Sequence, residues 1–191
     1  VLPLAHQVLL DITTVTVRNY RDCRIDCVLT KGNLPMTQMK DTNASTSPFS
    51  PKVYLAVHNK ANPGPTSWTA VWLDNVGKLC QVNGIEPNCS NMRAELIAAT
   101  AALKQFPSKT PINVICQSQY LLNYHQNLPG WKQRDWRTST GKQVSNSDEW
   151  LELDKLACRR KVTFTTTDAD PRSLASYARQ LAVAGLSLEQ V

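Results

Sequence analysis

Apolar and polar residues follow two periods along this chain, and the two periods predict strands and helices in a definite order. The β-branched, alternating segments 8–17 and 23–29 predict two strands of a hairpin, joined by a turn at 19–22. A Ser/Thr/Asn-rich run that ends at Pro48 is typical of a linker. The chain is therefore predicted to comprise a β-rich segment (1–46), a linker (47–51), a main domain (52–186) and a short tail (187–191).

The main domain begins with three apolar, β-branched segments separated by short turns, which predicts antiparallel strands. Helices that alternate with two further strands follow, and Pro129-Gly130 is expected to end one of these helices. The predicted elements are strands 52–58, 68–73 and 79–82, helix 91–105, strand 112–116, helices 118–125 and 147–156, strand 161–167 and helix 171–184. This order predicts an α/β fold: a five-stranded mixed sheet flanked by helices, preceded by a short β-hairpin.

Composition narrows the class of protein. An apolar fraction of 42% with five tryptophans is sufficient for a sizeable core. No apolar run is long enough to cross a membrane, and the start of the chain lacks the pattern of a signal peptide. Because the sequence begins at Val1 without an initiator methionine, we expect a piece of a longer polypeptide. The expected location is intracellular, cytoplasmic or nuclear, and the six cysteines are expected to be free thiols.

The net charge of +6 favours a polyanionic partner. The positive charge is dense in one aromatic stretch, where four cations accompany two tryptophans and a single acid, Asp135. The candidate nucleic-acid-binding residues are Trp131, Lys132, Arg134, Trp136, Arg137 and Lys142. Such cations can contact phosphates without reading sequence. Alternatively, the tryptophans pack this stretch onto a neighbouring helix and the cations are solvated.

Three motifs in order carry a resemblance to a known family. They are Arg93-Ala-Glu-Leu in an amphipathic helix, Ser118-Gln-Tyr after a strand, and the basic stretch 130–142 followed by Asn146-Ser-Asp-Glu-Trp150. Together with Asn62-Pro-Gly-Pro65, they resemble the ribonuclease H domain of retroviral polymerases and its cellular relatives. Segment 5–11 is similar to the end of the connection region of gammaretrovirus-like polymerases. The resemblance implies a retroviral-type origin, with later uptake into a host protein.

The resemblance also implies a chemistry, cleavage of the RNA strand of an RNA–DNA hybrid with two Mg²⁺ ions held by four carboxylates. At the four matching positions this chain has Ala56, Glu95, Gln117 and Ala175. The family's mobile histidine is absent from the loop 167–171. The sequence-based expectation is therefore a lost Mg²⁺ site, with no metal ligand set, no cofactor and no catalytic residue, in a chain that is not an enzyme.

For Glu95, for the pair Asp168 and Asp170, and for His58, the sequence leaves both a functional and a structural interpretation open. Glu95 is a surviving metal ligand or simply an acid near a helix start, where the dipole favours it. Asp168 and Asp170 could rebuild a metal site with Glu95, or could cap the last helix. His58, two residues beyond Ala56, is a candidate base or an ordinary sheet-edge histidine.

Three functional hypotheses follow. The first is an inactive ribonuclease H-like module that binds hybrid or double-stranded RNA weakly and without sequence preference. The second is a protein-interaction module, with a protein partner or a second copy of the chain, inside a larger host protein. The third is a metal-dependent hybrid nuclease with relocated ligands. No membrane association is expected.

Overall fold

The computed structural model describes residues 50–166 and 173–188, so the predicted N-terminal hairpin lies outside the described residues. Short turns connect the first three strands, and helices connect the later ones. The strands are β1 (Lys52–Asn59), β2 (Gly64–Leu73), β3 (Leu79–Cys89), β4 (Ile112–Ile115) and β5 (Val162–Thr165). The helices are α1 (Asn91–Lys104), α2 (Gln119–Leu122), α3 (Tyr124–Gln133), α4 (Ser147–Ala157) and α5 (Leu174–Leu188).

The five strands form one mixed sheet in the order β3-β2-β1-β4-β5. The first three strands pair antiparallel, because short turns connect them. Strands β1, β4 and β5 pair parallel, since helices provide the crossovers between them. The predicted α/β fold with a five-stranded mixed sheet and flanking helices is confirmed. Helix α5 extends to Leu188, four residues past the predicted end of the last helix at 184.

Alternation along the strands separates two apolar layers. Val53 and Leu55 of β1, with Trp68 of β2, face the main core beneath α1 and α4. The intervening residues of β1 and β2 face the other side, where α5 covers a smaller cluster. The period of two therefore places one set of side chains on each face of the sheet.

Helix α1 begins where the sequence predicts. Ser90 accepts a hydrogen bond from the Arg93 backbone N–H at 3.3 Å and satisfies one of the unpaired donors of the first turn. Arg93 then makes a bidentate contact with Asp148 (3.0 and 2.6 Å) and a third bond to Glu149 (2.9 Å). These contacts connect the start of α1 to the first turn of α4.

The prediction that Pro129-Gly130 ends a helix is wrong. A short break at Asn123 separates α2 from α3, and α3 continues through Pro129 to Gln133. Proline lacks the N–H that would bond back to the preceding turn. However, continuing the helix brings the Trp131 ring within 5.4 Å of the Trp150 ring. We infer that the tertiary contact outweighs the local preference.

Within residues 50–166 and 173–188, none of the helices has the length and apolar character needed to span a bilayer.

Candidate functional site

The register of β1 and β4 brings two of the four predicted site positions level with each other. These strands are parallel, and their last paired residues are Tyr54 and Ile115. Two residues further along the chain lie Ala56, still within β1, and Gln117, just past the end of β4. Helix α2 begins immediately after them, capped by Ser118, whose hydroxyl accepts from the Tyr120 N–H at 3.1 Å. The motif residues around positions 56 and 117 therefore meet at one end of the sheet.

Ala56 and Ala175 contribute only methyl groups to this region. Ala56 is 7% exposed and belongs to the apolar cluster beneath α5, which also contains Val71, Ala178 and Leu181. Ala175, in the first turn of α5, is 5% exposed. Gln117 is exposed and has a neutral amide. None of these three positions holds a carboxylate.

Glu95 is the carboxylate of this region among the described residues. It projects from α1, and its Oε2 is buried without a hydrogen-bond partner in the described part of the chain. Burial raises the pKa of Glu95, and a hydrogen bond from Ser118 lowers it by a smaller amount. The side chain is only partly exposed. Glu95 therefore differs from a solvated acid at the start of a helix.

The neighbouring thiol does not provide a nucleophile. Burial and the nearby charge of Glu95 raise the pKa of Cys116 to about 12, so the thiol stays protonated at neutral pH. Cys116 is 1% exposed. Glu95 thus lies in a low-dielectric setting beside a neutral thiol and the Ser118 hydroxyl.

Replacing Glu95 by glutamine is expected to raise the free energy of unfolding at pH 7, measured by urea denaturation in EDTA. The folded-state pKa is raised. Ionisation therefore destabilises the fold increasingly as pH rises from the unfolded pKa through the folded one, and the penalty is absent below the unfolded pKa. The gain should consequently disappear near pH 4. Glu152→Gln, which breaks an exposed ion pair with Lys104, is the control and should not stabilise the fold. An equal gain at both pH values would contradict the role of ionisation.

The described residues do not fit a two-metal centre. They contain no group of three or more His, Cys, Asp or Glu side chains arranged to hold a metal ion. The motif residues of this region supply one carboxylate from Glu95, the hydroxyl of Ser118 that bonds to it, and the neutral amide of Gln117. Two Mg²⁺ ions require more negative oxygen ligands than these.

The tryptophans of the basic stretch pack against other aromatic rings of the protein. Trp136 is 8% exposed, because Asp135 and Trp136 adopt left-handed backbone conformations (φ 51° and 60°) that turn the chain back. The Trp131 ring lies 6.4 Å from the Trp136 ring and also packs on Trp150. Trp131 therefore packs the basic stretch onto α4, as the alternative interpretation of the sequence expected.

The cations of this stretch divide into two groups. Lys132 Nζ lies 2.7 Å from Asp154 Oδ2, so its charge is offset. Arg134 donates to the Arg137 carbonyl at 3.1 Å, and Arg137 donates to the Gly141 carbonyl at 3.0 Å. Arg134, Arg137 and Lys142 are exposed, and their positive charges face solvent on a braced loop.

Sequence reasoning missed Asp154. This buried acid accepts a hydrogen bond from Tyr124 Oη at 3.0 Å and pairs with Lys132. A signal was available, because Asp154 lies four residues after Trp150 and therefore on the apolar face of its helix. An acid on such a face indicates a buried polar partner.

Comparison with known proteins places the chain in a family. The ribonuclease H family model ("RNase H") matches residues 54–170. Ribonuclease H of Thiobacillus denitrificans is 37% identical over 106 residues, which cover 55% of this chain and 71% of that protein. Ribonuclease H of Methylorubrum extorquens is 42% identical over 105 residues, covering 54% of this chain and 45% of the relative. The chain belongs to the ribonuclease H family.

Solved structures show the same fold. A foamy viral protease-reverse transcriptase in complex with RNA/DNA hybrid superposes with a TM-score of 0.62 at 14% identity, covering 80% of this chain and 22% of that one. LC11-RNase H1 in complex with RNA/DNA hybrid superposes with a TM-score of 0.54 at 15% identity, covering 72% of this chain and 99% of that one.

These relatives overturn the expectation that the chain is an inactive module and not an enzyme. Proteins 37% and 42% identical to it carry the name of the enzyme. The expectation equated missing carboxylates at aligned positions with a missing activity. That count omits carboxylates placed elsewhere, including Asp168 and Asp170, which follow β5 in the sequence and lie outside the described residues.

Proposed function

We propose that this chain acts on RNA/DNA hybrids as a ribonuclease H-type domain, binding the duplex and cutting its RNA strand. The observation that carries this proposal is the family match over residues 54–170, in a chain whose sheet and helices have the family fold. The match spans the sheet, α1 and the basic stretch together.

Binding is the part that the geometry supports. Arg134, Arg137 and Lys142 are exposed on one short loop. The loop is held by hydrogen bonds from the Arg134 and Arg137 side chains to its backbone carbonyls and by the buried Trp136. A fixed group of cations attracts phosphates with little loss of conformational freedom on binding. Phosphate contacts are independent of sequence and weaken with salt. Two of the fold neighbours were solved in complex with RNA/DNA hybrid.

Cutting rests on the relatives, since the described residues do not supply a two-metal centre. Glu95 is the acid that we assign to the reaction, because it matches the family's Arg-Ala-Glu-Leu motif and keeps an unpartnered buried oxygen. Asp168 and Asp170 are the further candidate carboxylates. The retroviral-type descent and the membership of a larger host protein stay predictions from sequence.

The test is a titration of a labelled RNA/DNA hybrid with the full chain at two salt concentrations. Each sample, containing Mg²⁺ or Mn²⁺, is then run on a denaturing gel. The expected result is salt-sensitive binding together with a shortened RNA strand. Glu95→Gln should retain binding and lose cutting by roughly a hundredfold or more, as when a group acting in the transition state is removed. Cutting unchanged in this variant would contradict the assignment of Glu95, and an uncut strand in the native chain would contradict the proposed hydrolysis.

Charge reversal tests the binding surface separately. The triple variant Arg134→Glu, Arg137→Glu, Lys142→Glu is expected to weaken hybrid binding by roughly a hundredfold at low salt. The affinity of this variant should also depend less steeply on salt concentration. Lys155→Glu, on the exposed side of α4, is the control and should bind nearly as the native chain does. Unchanged binding in the triple variant would exclude this loop as the site.

A further inference from the structure

Strand β3 forms one edge of the sheet, and no strand in the described ranges pairs with its outer side. It spans 11 residues, whereas β5 at the opposite edge spans four. A long edge strand presents unpaired N–H and C=O groups to which another strand can add. Lysine, which commonly prevents such pairing, is absent from β3, and its one proline, Pro87, lies near its end.

The hairpin geometry determines which backbone groups point outward. The Asp74 N–H donates to the Lys78 carbonyl at 2.9 Å and closes the β2–β3 turn. Hydrogen-bonded and non-hydrogen-bonded pairs then alternate along an antiparallel ladder. Counting from the Asp74–Lys78 pair, Leu73 and Leu79 form a non-hydrogen-bonded pair and Trp72 and Cys80 form a hydrogen-bonded pair. Residues 79, 81, 83 and 85 therefore direct their backbone groups away from β2.

Charge selects a register for a second copy of the chain. Lys78 and Glu86 lie at equal distances in sequence from Val82. If two β3 strands pair antiparallel around Val82, Lys78 of each copy lies opposite Glu86 of the other. The same register pairs residue 79 with 85 and residue 81 with 83, which are the positions with outward backbone groups. Backbone geometry and charge thus agree on one arrangement.

The local electrostatics favour such a partner. Neither Lys78 nor Glu86 forms an ion pair with another described residue. Burial is the main cause that raises the pKa of Glu149, the charge of Arg93 lowers it, and nearby acids, Glu86 the weakest of them, raise it. A lysine from a second copy would offset the charge of Glu86 itself.

Exposed apolar residues occur at the same edge. Val76 at the tip of the hairpin is 79% exposed, Leu73 and Leu79 at its base are each 41% exposed, and Met92 in the first turn of α1 is 52% exposed. In the register centred on Val82, the hairpin of one copy extends past Glu86 of the other, toward the start of that copy's α1. Pairing would therefore cover part of this apolar surface.

We propose that the β3 edge binds a second copy of this chain, giving a two-fold dimer in which the sheet continues from one copy into the other. This inference does not depend on hybrid cleavage, because it rests on the backbone of β3 and on the charges of Lys78 and Glu86.

The test measures the mass of the full chain by sedimentation equilibrium over a range of concentrations. Glu86→Lys and Lys78→Glu each place two like-charged pairs across the interface, and each is expected to weaken dimerisation by roughly tenfold to a hundredfold. An equimolar mixture of the two variants should recover dimers, because every cross-strand pair is then of opposite charge. Lys155→Glu changes the charge on α4 instead and should leave the dimer unaffected.

Amide hydrogen exchange on the same samples identifies the strand. Gln81, Asn83 and Ile85 should become protected as concentration rises. A chain that stays monomeric at every concentration would overturn the proposal. If these amides are protected in such a monomer, another part of the same chain covers the β3 edge, and the proposal is overturned as well. A dimer that is unchanged in both single variants would overturn it as well.

Discussion

Trp150→Ala is expected to lower the free energy of unfolding by about 3–5 kcal/mol, the cost typical of removing a large aromatic side chain from a core. Trp150 is 0% exposed. Its ring stacks on Tyr124 at a centroid distance of 5.7 Å and lies 5.1 Å from the ring of Tyr120. Its indole N–H donates to the Tyr120 hydroxyl at 2.8 Å. Urea denaturation followed by far-UV circular dichroism measures the change.

The control for Trp150→Ala is Tyr120→Phe, which keeps the ring and removes the hydroxyl. That hydroxyl also donates to the Ser145 carbonyl at 2.7 Å. The expected loss is about 1–3 kcal/mol, because the indole N–H then has no acceptor. Similar losses in the two variants would mean that the hydrogen bonds, rather than the packing of Trp150, hold α4 against the core.

Ala56→Asp is expected to destabilise the fold by about 3–5 kcal/mol at pH 7, the cost of an uncompensated buried charge. Ala56 lies in the closed apolar cluster beneath α5. Burial should raise the pKa of the new carboxyl in the folded state. The loss should therefore grow as pH rises from the unfolded pKa through the folded one, and it should be smallest below both.

Ala56→Asn is the matched control, since it adds a side chain of the same size without a charge. Its cost should not vary with pH, so the difference between the two variants isolates the effect of ionisation. Denaturation at several pH values, with and without Mg²⁺, measures this difference. Recovery of stability on adding Mg²⁺ would contradict a closed apolar cluster and would show that position 56 faces a metal pocket.

The order of elements follows from local pattern. Alternating β-branched segments predict the strands, and Ser90 before an apolar stretch of helical period predicts the start of α1. These signals depend on near neighbours in the chain, which a sequence displays directly. The three ordered motifs indicated the family for the same reason. The count of lost carboxylates was a weaker argument, and its conclusion of inactivity is contradicted by the ribonuclease H relatives.

Only the tertiary structure decided which side chains of the candidate site are available. From the sequence, Trp136 is a candidate nucleic-acid-binding residue, yet a left-handed turn buries it. From the sequence, Lys132 is a candidate phosphate contact, yet it is paired with Asp154 on another helix. One interpretation of the sequence made Glu95 an ordinary acid near a helix start, yet one of its carboxylate oxygens is buried without a hydrogen-bond partner in the described region. The sequence by itself determined the five strands in order, the helix 91–104 and the family, because those depend on short-range pattern. Burial and pairing depend on contacts between residues far apart in the chain, so only the folded structure determines them.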